Sequence, residues 1–389
     1  MVSFLLLLEA SSLRAEESPY TVIYSKNLPD WIKGAAKSHL EKSFHTYSQV
    51  FSIQQDTPIN ILIEYHPEGD LSSAYVQTKQ GMRITLRGSI WENKKTEKLE
   101  QLLEKFIWHE GFHVWHIFYF PRINKGIDSF LMEGAAEYFH WKFAASDKNK
   151  TQDTVAWLQG CVLSTADRSL INVSKYIPAK ANYLCGVFIQ WMLDQWLDHY
   201  SKGNLSVEKL WQHLFTSSLS SDFRERQLLV RIFRYLESRA ETAHLSEKLH
   251  QFIFEEGSMR WQKMDEYFAQ TGINIRLKKL DEYQPDTLIE TIIQNIIQRE
   301  CTSIAPWIWS ENRVSTLNSR SCGLLSKLNN VKTINGVIVP KDAPKAFLLI
   351  KQTCAENGYI LLGRGKKLAA LKFQCEEGIK HPPAEFIYG

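Results

Sequence analysis

No stretch of this 389-residue chain past its N terminus holds the run of about eighteen apolar residues that a membrane-spanning helix needs, so no transmembrane span is expected. No C-x-x-C pair occurs, which argues against a thioredoxin-type centre or a zinc ribbon. Charge of the two signs nearly balances. The net charge is +3 and no basic run is interleaved with aromatics, so nucleic acid is not an expected partner. No repeat of fixed period is evident. What remains is an ordinary globular composition, 44% hydrophobic and 23% charged, in a chain long enough for two or three domains. The 12 Trp, 15 Tyr and 20 Phe fit large packed cores and clefts that hold extended polymer.

Val2 to Leu8 is a short apolar run, followed by Glu9 and then Ser-Ser-Leu-Arg-Ala. Residues 1–15 read as a shortened export signal that lacks a basic leader, with cleavage near Ala15; a frayed apolar N terminus is the alternative. The six cysteines fall as Cys161 and Cys185, Cys301 and Cys322, and Cys354 and Cys375. Sequence neighbours about 20 to 25 residues apart permit three local bridges among the fifteen possible pairings. A periplasmic or secreted protein is therefore expected, with six buried thiols in a cytosolic protein as the alternative.

Hydrophobic periodicity predicts an α+β fold. Tyr20 to Tyr24, Pro58 to Tyr65 and Met82 to Leu86 read as strands, and Asp30 to Phe51 reads as a helix with Leu40, Phe44, Tyr47 and Phe51 on one face. Thr96 is placed to cap a long helix that runs to about Phe120, where Pro121 stops it. A second helix starts near Asp128 or Ser129, and Gly134, Ala135 and Ala136 would let it approach the first closely. Residues from Ser206 to Phe268 read as successive helices. Beyond Gln284-Pro285 the pattern changes to a short helix, Asp286 to Arg299, and then to β-formers, with a hairpin turn at Asn335-Gly336. The expected organisation is a small mixed sheet with two site-bearing helices over 16–145, a mainly helical part over 146–284, and a disulfide-stapled α/β appendage over 285–389. Gly363-Arg364-Gly365-Lys366 lacks P-loop spacing and reads as a basic turn.

The first long helix carries His109-Glu110-Gly111-Phe112-His113. At a spacing of four, both imidazoles lie on one helix face and can each give a nitrogen to one divalent metal. Glu110, one position round from His109, is placed to hold a water without binding metal itself, which suits zinc-assisted hydrolysis. On the second helix Glu133 and Glu137 also share a face, where like charges repel unless something positive lies opposite. A metal at His109 and His113 would supply that charge. His116, a turn beyond His113, and His140 are expected to be packing or surface residues, and Trp108 and Trp115 to pack the helix.

His-Glu-Gly-Phe-His, a spacer of nineteen residues, and then Glu-Gly-Ala-Ala-Glu resemble the gluzincin metallopeptidases, the thermolysin and aminopeptidase superfamily. The metzincin pattern is absent, because His116 and Tyr119 stand where it needs Gly and His. The resemblance covers about thirty residues. It implies a Zn2+ cofactor on His109, His113 and Glu133, Glu110 as general base, and Glu137 as the acid that orients a ligand histidine. By the same resemblance Tyr183, three residues before Gly186 at the start of an apolar helix, stabilises the oxyanion; a plain buried tyrosine is the alternative. A bridge between Cys161 and Cys185 would hold Tyr183 in place. The implied partner is a peptide or protein substrate lying along the strand at Met82 to Leu86. Ala74 to Gly88 contains no acid to hold a substrate ammonium, which leans the expectation to an endopeptidase over an aminopeptidase. A zinc-holding binding or structural module without turnover is the reading from another class.

Overall fold

A computed structural model describes residues 20–52, 58–69, 72–77, 81–92, 95–119, 126–144, short stretches within 153–173, and 179–218, 227–255, 263–268 and 271–273. In the last part of the chain it describes 275–276, 307–310, 313–316, 330–338, 343–363, 371–374 and 387–388. The expected export signal at 1–15, the helix at 286–299 and the turn at 364–366 lie outside these residues.

The fold is α+β. Four strands, β1 (Tyr20–Tyr24), β2 (Ile59–His66), β3 (Ser73–Gln77) and β4 (Gly81–Arg87), form a mixed sheet in the order β1-β2-β4-β3. β1, β2 and β4 are parallel, and β3 runs antiparallel to β4. The alternation in β2 follows its sequence: Ile59, Ile61, Ile63 and Tyr65 are buried, and their neighbours are not. Helix α1 (Asp30–Phe51) crosses between β1 and β2 and packs Ile32, Ala36, Leu40 and Phe44 on the sheet. The strand at Met82 to Leu86, along which a substrate is expected to lie, is inside the sheet, and β3 ends the order instead. Its sequence, SAYVQ, is too mixed in polarity to stand out by alternation alone.

Helix α2 (Glu97–Tyr119) is the hinge between two cores. Thr96 caps it, its Oγ1 accepting from the Leu99 N–H at 3.3 Å. At about 100° per residue, α2 divides into three stripes. Leu103, Ile107 and Val114 join the core of the sheet and α1. Trp108, Phe112 and Trp115 join a larger core of helices, so both tryptophans pack as expected. The third stripe is Lys105, His109, His113 and His116.

The larger core is built from α3 (Ile127–Phe143), α4 (Ala179–Tyr200), α5 (Val207–Ser218), α6 (Leu228–Glu237), α7 (Ala243–Phe254) and α8 (Met264–Phe268). Buried polar contacts fix how these helices sit. Gln190 on α4 donates to the Leu131 carbonyl at 3.0 Å and accepts from the Trp211 indole at 3.0 Å. Asp194 accepts from the Tyr138 hydroxyl, the Lys142 ammonium and the Val207 N–H, which joins α3, α4 and α5 at one carboxylate. Asp128 accepts from the Leu229 N–H at 3.1 Å at the start of α6. α3 packs closely on α2, as expected for its small residues, and Gly134 itself faces Gly186 of α4. No helix among the described residues is long and apolar enough to cross a membrane.

A disulfide joins Cys161 to Cys185. Cys301, Cys322 and Cys375, and the side chain of Cys354, lie outside the described residues. The C-terminal part is α/β, as expected. Thr333–Ile334 and Val337–Ile338 form a hairpin turned by Asn335 and Gly336, with φ of 48° and 80°. Tyr359–Gly363 pairs with Leu371–Gln374, and Phe347 to Ile350 lies within a helix, Ala343–Asn357.

Candidate metal centre

The third stripe of α2 meets the face of α3 that carries Glu133 and Glu137. Nε2 of His109 and Nε2 of His113 are 3.2 Å apart. Oε2 of Glu133 is 3.2 Å from the first and 3.3 Å from the second. These three residues are the one group among the described residues whose donor atoms converge closely enough to hold a metal ion. Their spacing tests the fit. A tetrahedral zinc ion with bonds of about 2.0–2.1 Å sets its donor atoms about 3.3–3.4 Å apart. All three edges of the triangle come within about 0.2 Å of that separation, with two nitrogens and one carboxylate oxygen as donors, so the residues present fit zinc.

Behind the triangle, Oε2 of Glu137 lies 3.4 Å from Nδ1 of His109, and its other oxygen accepts from the Lys105 ammonium. Lys105 carries no family signal. It precedes His109 by four residues on the same stripe, a spacing that does not by itself mark it. Burial disfavours a charged His109, but the Glu133 and Glu137 carboxylates against its ring outweigh that and push its pKa up to about 10 in the metal-free cluster. Burial also opposes ionisation of Glu133 and Glu137. Both are nevertheless held below the usual carboxylate range, Glu133 by the two histidines and Glu137 by Lys105 and His109.

Glu110 is buried beside the triangle, on the stripe that includes Ile107 and Val114 and faces the sheet. Burial pushes its carboxyl pKa up, against the pull of His113 and His109. Tyr183 stands in the second turn of α4, with its ring centroid 5.4 Å from that of His109. Burial and the nearby Glu133 and Glu110 carboxylates raise its hydroxyl pKa, which keeps it protonated and able to donate. His116 is buried with its ring centroid 5.9 Å from that of His113, so it borders the site. Burial, reinforced by His113, holds it neutral. Burial pushes His140 down to about 4.

No family model matches the chain, and no curated protein matches it. A solved structure of an aminopeptidase N family protein from Idiomarina loihiensis is similar over 95% of this chain, with a TM-score of 0.55 and 12% identity. The match covers 66% of that protein. The likeness is one of fold.

Proposed function

We propose that this protein is a gluzincin-type zinc metallopeptidase that hydrolyses peptide bonds. The observation that carries the proposal is the triangle of His109 Nε2, His113 Nε2 and Glu133 Oε2, with edges of 3.2, 3.2 and 3.3 Å. The fold likeness to an aminopeptidase N family protein supports a peptidase, and the acid-free segment from Ala74 to Gly88 favours internal cleavage.

His109, His113 and Glu133 hold the metal, and Glu137 orients His109 through Nδ1. A zinc ion there supplies Lewis acidity, lowering the pKa of water and polarising a carbonyl. Glu110, not engaged as a ligand, accepts the proton of the attacking water and delivers it to the leaving amine. Its buried setting keeps that proton affinity high. Tyr183 donates its hydroxyl hydrogen to the oxygen that gains charge as the carbonyl is attacked. β3, the last strand in the sheet order among the described residues, offers backbone partners for an extended peptide. The Cys161–Cys185 bridge supports an oxidising location, periplasmic or secreted.

Digestion of a peptide library by purified protein, with and without a zinc chelator, tests this reading. Internal cleavage that stops with chelator and returns with zinc is the expected result. Chelator-insensitive cleavage, or no zinc in wild type and His113→Ala alike, would overturn the site assignment. Sequential loss of N-terminal residues would reassign it as an aminopeptidase.

A further inference from the structure

Glu137 is a carboxylate divided between two partners on α2, one turn apart. One oxygen faces Nδ1 of His109 at 3.4 Å, and the other takes the Lys105 ammonium. Lys105, His109 and His113 follow at intervals of four, so α2 presents an ammonium, an imidazole and a second imidazole in register. Glu133 and Glu137 repeat that interval on α3. The two helices therefore meet as a ladder, with Lys105 against Glu137 and the two histidines against Glu133. Without Lys105, the outer oxygen of Glu137 would have no cation opposite it in this ladder, in a side chain only 15% exposed.

We propose that Lys105 is a positioning residue of the metal centre: by clamping one Glu137 oxygen, it fixes the other on His109 and so holds that imidazole with Nε2 turned to the metal. The inference rests on the metallopeptidase reading of the same site. An ordinary surface pair contributes little because both partners find water when separated. This pair differs because its carboxylate is enclosed on the far side by His109. A Glu137 released from Lys105 gains water only by turning away from the ring it orients. Loss of a group that orients a metal ligand typically costs about 10- to 100-fold in metal affinity.

The test is zinc affinity, measured by competition with a chromophoric chelator, together with the zinc dissociation rate and the thermal midpoint of the metal-free protein. Lys105→Met is expected to bind zinc about 10- to 100-fold more weakly, mainly through faster release, while the metal-free protein still unfolds in one cooperative transition. Lys105→Arg restores the charge opposite Glu137 and is expected to recover most of the affinity. Arg83→Met removes the Arg83–Glu64 pair of the sheet, similar in exposure but outside the centre, and is the control for general loss of an ion pair. Unchanged zinc affinity in Lys105→Met, or equal weakening in Arg83→Met, would overturn the role given to Lys105. Absence of zinc binding by the wild type would instead overturn the reading beneath it.

Discussion

Gly134 of α3 and Gly186 of α4 meet backbone to backbone: a Cβ on Gly134 would stand 2.0 Å from the carbonyl carbon of Gly186, and a Cβ on Gly186 would stand 2.0 Å from the carbonyl oxygen of Phe130. Gly134 follows Glu133 directly, and Gly186 comes three residues after Tyr183. The crossing thus sets how far the candidate oxyanion donor stands from a candidate metal ligand.

Substitution at this crossing should cost more than at an open helix site. Gly186→Ala is expected to destabilise the protein by about 3 kcal/mol or more, because the obstruction is main chain and cannot turn aside. Gly34→Ala, in α1 where a Cβ meets nothing within 4 Å, should be neutral or stabilising by up to about 1 kcal/mol. Chemical denaturation of both variants checks the contrast, which fails if their midpoints move alike.

The disulfide lies one residue before Gly186. Its loop spans a sequence separation of 24, so Cys161→Ser with Cys185→Ser should lower stability by about 3 kcal/mol. Wild-type protein unfolded under a non-chelating reductant should match that variant. Equal stability of oxidised wild type and variant would contradict the bridge's place in the core.

Tyr183→Phe removes one hydroxyl and leaves the ring against His109. We expect kcat to fall about 10²- to 10³-fold with zinc content unchanged. Unchanged kcat would make Tyr183 a packing residue.

Zinc binding should depend on pH in a stated direction. The metal-free His109 pKa is raised to about 10, so near neutral pH zinc must displace a proton to reach its Nε2. Affinity should rise roughly tenfold per pH unit from about pH 6.5 to 8.5, above the range where an ordinary histidine has already lost its proton. Titrations in buffers of different ionisation heat should register the released proton. A plateau above about pH 6.5 would contradict the raised value.

Much of this was legible before the fold was known. β1 and α1 were bounded by alternation and by Leu40, Phe44, Tyr47 and Phe51, because local pattern and burial agree there. The triangle could be anticipated because residues four apart on a helix share a face, whatever surrounds them. β3 was not legible, since five residues of mixed polarity at a sheet edge leave no period to read. Lys105 was not legible either. A lysine on an amphipathic helix is ordinary until the carboxylate opposite it is known to be buried. Gly134 marks close packing in the sequence without naming both helices that approach: α3 lies against α2, and Gly134 also meets Gly186 of α4.

In the proposed site Glu110 moves the proton while His109, His113 and Glu133 hold the metal. Glu110→Gln tests it most directly, with zinc content and peptide hydrolysis measured on the same preparation. The expected result is about one zinc ion per chain, as in the wild type, with hydrolysis reduced by about 10²-fold or more. Hydrolysis at the wild-type rate by zinc-loaded Glu110→Gln protein would contradict it.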